Sequence, residues 1–192
     1  MPTSSACGST SQPMGEGRLT GLVQPDRRSC GAAVVVATHL LTTPPGAGVT
    51  KGWFRTEVLA VHRQLTSVVD ARGRWQLPWP RALGTPPWAV ARHLTEVTGD
   101  RHRTVLVRDR PAAFDRVLRA TWDGRPVPVY VGNRWLPRHV VLVTGVGPEE
   151  TLRCYDPARG VVATVTRREF GTARLGLSGW DRPWFVVLPR RT

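Results

Sequence analysis

A chain of 192 residues, 41% apolar and 21% charged, is long enough to bury one hydrophobic core and too short for two, and its eight tryptophans argue against disorder. No run of about eighteen apolar residues occurs, which excludes a membrane-spanning helix. The formal charge of +13 would attract nucleic acid, anionic lipid or acidic substrates, but every basic residue except Lys51 is an arginine and they are dispersed along the chain, so with no nucleic-acid-binding motif beside them a solvated surface is the better reading.

Residues 1–20 are rich in Ser, Thr, Gly and Pro and show no hydrophobic period. They are expected to form a disordered lead-in to a single domain over residues 21–192. The lead-in has neither a basic n-region nor an apolar h-region, so it does not read as a secretory signal, and Cys7 has no apolar stretch before it that would mark a lipidation site. A cytoplasmic location is expected, with leaderless export left open. Cys7, Cys30 and Cys154 form no CxxC pair and no metal-ligand spacing. Their odd number suits a reducing compartment, and neither metal nor cofactor is expected.

Residues 29–41 are apolar almost throughout and end at Thr42-Thr43-Pro44-Pro45-Gly46. The Val34-Val35-Val36 run suits a buried strand, the length suits a buried helix, and periodicity leaves the choice open. Over residues 53–69, Trp53, Phe54, Val58, Val61, Leu65 and Val68 recur at helical spacing. Thr85-Pro86-Pro87 reads as a helix start with a capping hydroxyl, and Gly99 as its stop. Residues 104–108 make a short strand, and residues 111–122 a helix with Phe114, Val117, Leu118 and Thr121 on one face. From Pro126 onward the chain reads as strands over 127–131, 139–146, 152–155, 161–166 and 184–188. Helices first and sheet second predict an α+β fold with an antiparallel sheet.

Catalysis by cysteine needs thiolate character, which a helix N-terminus and a nearby imidazole both favour. Cys30 opens the proposed helix, and Gly31, Ala32 and Ala33 behind it are small enough to let a substrate backbone approach. Gln24, across the Pro25-Asp26 turn, could aim its side-chain amide beside the thiol as an oxyanion donor, with the Cys30 N–H as the second. Among the five histidines, His39 shares the helix of Cys30, and His62, His93 and His102 read as solvated on polar helix faces or in a charged loop. His139 opens the apolar run Val140-Val141-Leu142-Val143, where a strand end can meet a cleft. A four-residue turn at Gly147-Pro148-Glu149-Glu150 would pair Val146 with Thr151 and Val141 with Asp156. His139 and Asp156 would then share a face, diagonally ~7 Å apart. An odd-length turn would separate them. Cys154, mid-strand on the apolar face, reads as a core residue.

Gln24, Ser29-Cys30-Gly31-Ala32-Ala33, Pro137-Arg138-His139 running on to Thr144-Gly145, and Tyr155-Asp156-Pro157-Ala158 together resemble the papain-like cysteine peptidases, in the bacterial group typified by the bacteriocin-leader peptidases. Gly84-Thr85-Pro86 and Arg168-Glu169-Phe170 fit the same pattern, and the resemblance runs over residues 22–188. It implies a papain-like fold with an N-terminal helical half and a C-terminal antiparallel sheet, and it favours a helix for Val34 to Val36. It also implies Cys30 as nucleophile, His139 as base, Asp156 as the group that orients it, and Gln24 as oxyanion donor. Gly31 and Val140 stand where the family often carries an aromatic residue. The expected activity is hydrolysis of a peptide or isopeptide bond in a peptide or protein substrate through a thioester. An acyl transferase or glutamine deamidase could use the same site, and a basic binding protein could occupy an inactive version of the scaffold. The sequence carries no indication of oligomeric state.

Overall fold

The structure, a computed structural model, describes residues 16–44, 49–70, 73–77, 79–80 and 84–190. Cys7 and most of the expected lead-in lie outside these residues. Among the described residues, Leu19 is already fully buried, after a 3-10 turn over Glu16–Arg18, so packed chain is present ahead of residue 21.

Six strands form one antiparallel sheet in the order β1-β6-β2-β3-β4-β5: β1 (His102–Leu106), β2 (Val127–Gly132), β3 (Pro137–Val146), β4 (Leu152–Asp156), β5 (Val161–Val165) and β6 (Arg182–Pro189). Helices cover both faces. α1 (Cys30–Thr42), α2 (Lys51–Leu65) and α3 (Pro87–Thr98) enclose one core with Tyr130, Val140, Leu142 and Tyr155. On the other face α4 (Arg110–Trp122) and α5 (Arg167–Thr172) enclose a second core with Val129, Val141, Val143 and Cys154. Alternate residues of β3 thus feed opposite cores, which is why its centre reads as a continuous apolar run. Among the described residues no helix is long and apolar enough to cross a membrane.

α1 is a helix, and every residue from Cys30 to Thr38 is buried. A helix apolar on all sides carries no 3.6-residue stripe, which explains the silence of its periodicity. α2 begins where Thr50 accepts the Trp53 N–H at 3.1 Å and ends at Leu65, four residues before the expected limit. Val68 and Val69 extended the apolar pattern in sequence but are exposed. α3 stops as expected at Gly99, whose φ of 78° is left-handed. Thr85 is not its cap; Pro86 holds that position without a side-chain bond.

The β3–β4 hairpin differs from the expected turn. Val146 pairs with Leu152, so the loop spans residues 147–151, an odd number. A bulge at Thr144 then shifts the register by one, giving Val143 opposite Cys154 and Leu142 opposite Tyr155. Loop and bulge cancel, and continuing the ladder puts Asp156 opposite Val141, on the face shared with His139.

Candidate active site

The segment ahead of α1 is tied directly to the turn after Asp156. The Gly21 N–H donates to Gly160 O (2.8 Å) and the Gln24 N–H to Pro157 O (2.8 Å), while the Tyr155 hydroxyl donates to Leu22 O (2.6 Å). Gly160 sits at φ 65°, and a Cβ there would lie 2.9 Å from Val23 Cγ2, so glycine permits both the turn and the close docking. From this anchor the chain turns through Pro25 to Ser29, where Asp26 Oδ1 accepts the N–H groups of Arg28 (2.8 Å) and Ser29 (2.9 Å). Burial works against the Asp26 charge, but these bonds and nearby His62 hold its pKa below the ordinary value. Cys30 then opens α1.

Gly31, Ala32 and Ala33 are buried, and the small size of Gly31 makes room for the protein's own packing. A Cβ on Gly31 would lie 2.7 Å from Cβ of Thr85, so the side chain of Thr85 occupies the space beside Gly31. The Thr85 hydroxyl lies 3.3 Å from His62 Nδ1, and the Thr85 carbonyl accepts from the Tyr130 hydroxyl at 3.1 Å. His62, expected to be solvated, is only 6% exposed, since it falls on the same stripe of α2 as Phe54, Val58 and Leu65. Burial, and after it the charge of Cys30, push the Tyr130 phenol well above its usual pKa.

On the sheet side the His139 Nε2–H donates to Asp156 Oδ1 at 2.8 Å. Asp156 Oδ1 also accepts the Ala158 N–H (3.0 Å), and Oδ2 accepts the Ser178 hydroxyl (2.5 Å). Burial favours a neutral imidazole, but hydrogen bonds with Asp156 and Cys30, and the charges of both, push His139 from an ordinary 6.5 up to about 9. The net shift favours the protonated imidazole. Burial likewise opposes the Asp156 charge, but the bonds from His139, Ser178 and Ala158 hold its carboxyl below the usual 3.8. Because Nε2 is taken by Asp156, Nδ1 is the ring nitrogen left for Cys30.

Two solved structures resemble this arrangement of helices and sheet. A putative C39-like peptidase from Bacillus anthracis superposes with a TM-score of 0.51 at 11% identity, over 91% of this chain and 96% of that one. The fold is that of the papain-like cysteine peptidases. The peptidase domain of Streptococcus ComA, a bifunctional ABC transporter involved in quorum sensing, gives a TM-score of 0.44 at 19% identity, over 88% of this chain and 97% of that one. No protein-family profile matches the chain, and no curated protein matches it.

Within this papain-like fold the structure pairs His139 with Asp156 and brings Cys30 near enough to His139 to raise its pKa. All three are buried, Cys30 and His139 each 5% exposed and Asp156 1%. A groove of about 460 Å³, between α3 and β1 and bordered by Arg92, Arg101, Arg103 and Arg190, lies apart from them. Gln24 is fixed to the same end of the sheet through its backbone. Its side-chain nitrogen donates to the Asp26 carbonyl, and its Oε1 is buried with no partner among the described residues.

Sequence reasoning missed His62, Thr85, Tyr130 and Ser178 as neighbours of the site. For His62 the signal was present, since its spacing from Phe54 and Val58 is that of the buried stripe. Ser178 carried no signal, because a Ser-Gly pair in the connection between α5 and β6 reads only as a turn.

Proposed function

We propose that this chain is a cysteine peptidase in which Cys30 is the nucleophile, His139 the acid and base, and Asp156 the group that orients the imidazole. The observation that carries the reading is the single imidazole of His139, bonded to Asp156 at 2.8 Å through Nε2 and close enough to Cys30 for that residue to help raise its pKa. That arrangement suits nucleophilic catalysis, in which a base activates the nucleophile and is itself held by a third group.

In the proposed cycle Cys30 Sγ attacks the carbonyl carbon of the scissile bond. The oxyanion that forms is met by the Cys30 N–H and the free amide hydrogen of Gln24, each such donor contributing roughly 3 kcal/mol of transition-state stabilisation. The imidazolium of His139 gives its proton to the departing amine, leaving a thioester on Cys30. Neutral His139 then takes a proton from water, whose oxygen attacks the thioester, and the carboxylic acid departs as the proton returns to the cysteine–histidine pair. Asp156 holds the ring throughout and keeps its own charge. Unbridged Cys30 and Cys154 suit work in a reducing compartment.

Incubation with a peptide library followed by mass spectrometry tests the reading. Wild-type protein is expected to produce cleavage products and the Cys30→Ala variant none. A one-dalton gain on glutamine without cleavage would assign the site to deamidation, and a product joined to an added amine would assign it to acyl transfer. Salt-sensitive binding unchanged in Cys30→Ala, with no turnover of any kind, would overturn the enzymatic reading.

A further inference from the structure

Ser178 lies in the connection between α5 and β6, outside every motif that marked the site. Leu177 and Trp180 exchange backbone hydrogen bonds, Leu177 N–H to Trp180 O at 3.1 Å and Trp180 N–H to Leu177 O at 2.9 Å, closing a two-residue turn over Ser178 and Gly179. Both turn residues are left-handed, Ser178 at φ 49° and Gly179 at φ 81°. That is the pattern of a type I′ turn, whose first position favours Asn, Asp or Gly. Serine there is held in a conformation that an L-residue with a Cβ adopts only at a cost. Strained positions of this kind persist where the surroundings hold them and concentrate at functional sites.

What the serine contributes is one hydrogen bond. Its hydroxyl donates to Asp156 Oδ2 at 2.5 Å, while Oδ1 already holds His139 Nε2–H at 2.8 Å and Ala158 N–H at 3.0 Å. An aspartate fixed through one oxygen can still turn about its last torsion, which is broad and roughly two-fold. Fixing the second oxygen removes that freedom and holds Oδ1 in line with the imidazole. The residues best suited to the turn do this worse: glycine has no donor, and asparagine's amide is longer than the gap a hydroxyl fills.

We propose that Ser178 is a positioning residue of the Cys30–His139–Asp156 site, its hydroxyl setting the orientation of the Asp156 carboxylate and the residue being kept at a strained turn position for that purpose. The inference rests on the peptidase reading for its catalytic consequence, though not for the hydrogen bond itself.

Two substitutions separate a positioning role from a merely structural one, because they move stability and activity in opposite directions. Ser178→Gly frees the backbone and removes the hydroxyl: its unfolding temperature is expected to equal or exceed that of wild type, while kcat falls roughly tenfold or more through misplacement of the imidazole and KM stays unchanged. Ser178→Thr keeps the hydroxyl but puts a β-branched residue at positive φ: it is expected to unfold at lower temperature and to retain most of the activity. Activity that follows stability, with Ser178→Gly as active as wild type, would overturn the inference. A third readout does not depend on turnover. In proton NMR the His139 Nε2–H should exchange faster with solvent in Ser178→Gly than in wild type, and equal exchange would count against the role of Ser178 alone. Absence of any peptidase activity in wild type with this exchange difference intact would sink the peptidase reading and leave the positioning of Asp156 standing.

Discussion

Cys30 and Cys154 are both unbridged and almost equally buried, at 5% and 2% exposure, yet their surroundings have little in common. Cys154 lies in the middle of β4, opposite Val143, in the core between the sheet and helices α4 and α5. Its Sγ approaches the Leu152 carbonyl at 3.8 Å, a weak contact. Cys30 starts a helix on the other side of the sheet, where unpaired N–H groups favour negative charge, and lies beside His139, whose pKa is raised. Burial is common to both residues. On the proposed reading, the chemistry belongs to the one beside His139.

The largest effect should come from removing each thiol in turn. Cys30→Ala is expected to lower kcat by roughly 10³-fold or more with little change in unfolding temperature. Cys154→Ala should leave turnover within a few-fold while costing about 0.5–3 kcal/mol of stability, the usual range for a core truncation. Chemical denaturation and peptide turnover measured on both variants would break the comparison if the losses were reversed.

Titration sharpens the contrast. The folded pKa of His139, about 9, lies above its ordinary 6.5. The stability it contributes is therefore fully present below pH 6.5 and is lost as pH rises through about 9. Wild-type unfolding temperature is expected to fall across that window, and the fall should flatten in His139→Gln. Turnover should decline over the same range, because the leaving amine loses its proton donor. An identical pH profile in His139→Gln would detach the imidazole from the site.

Packing around Cys30 allows a smaller test. Gly31→Ala brings a Cβ to within 2.7 Å of Thr85 Cβ and should destabilise by about 1–3 kcal/mol. Thr85→Gly in the same chain should recover part of that loss, a non-additivity that urea denaturation of the single and double variants would reveal. The smallest effect is expected far from both thiols. Thr166 caps α5 in a reciprocal pair with Glu169, and Thr166→Ala should cost about 1 kcal/mol without changing the reactivity of either cysteine.

Legibility in the sequence follows the range of the interactions concerned. Local chemistry announced α3, with its proline start and Gly99 stop, and would have announced α5 as well. Thr166 and Glu169 form a Ser/Thr-x-x-Glu capping box, a start signal set among strand patterns. The His139–Asp156 pairing was legible because side chains alternate along strands. The route to it was not, since an even turn was expected where an odd loop and the bulge at Thr144 cancel. Nothing in the local sequence encodes the bulge. Contacts between distant segments were silent: Thr85 against Gly31, Tyr155 on Leu22 and Ser178 on Asp156 join residues whose partners the tertiary fold alone supplies.

Competitive alkylation reads the central claim most directly, because Cys154 serves as an internal control of nearly equal burial in the same molecule. Native protein treated briefly with iodoacetamide at neutral pH and digested for mass spectrometry should carry the label on Cys30 far ahead of Cys154, and His139→Ala should remove most of that advantage. Equal labelling rates for Cys30 and Cys154 in the wild-type protein would contradict the account.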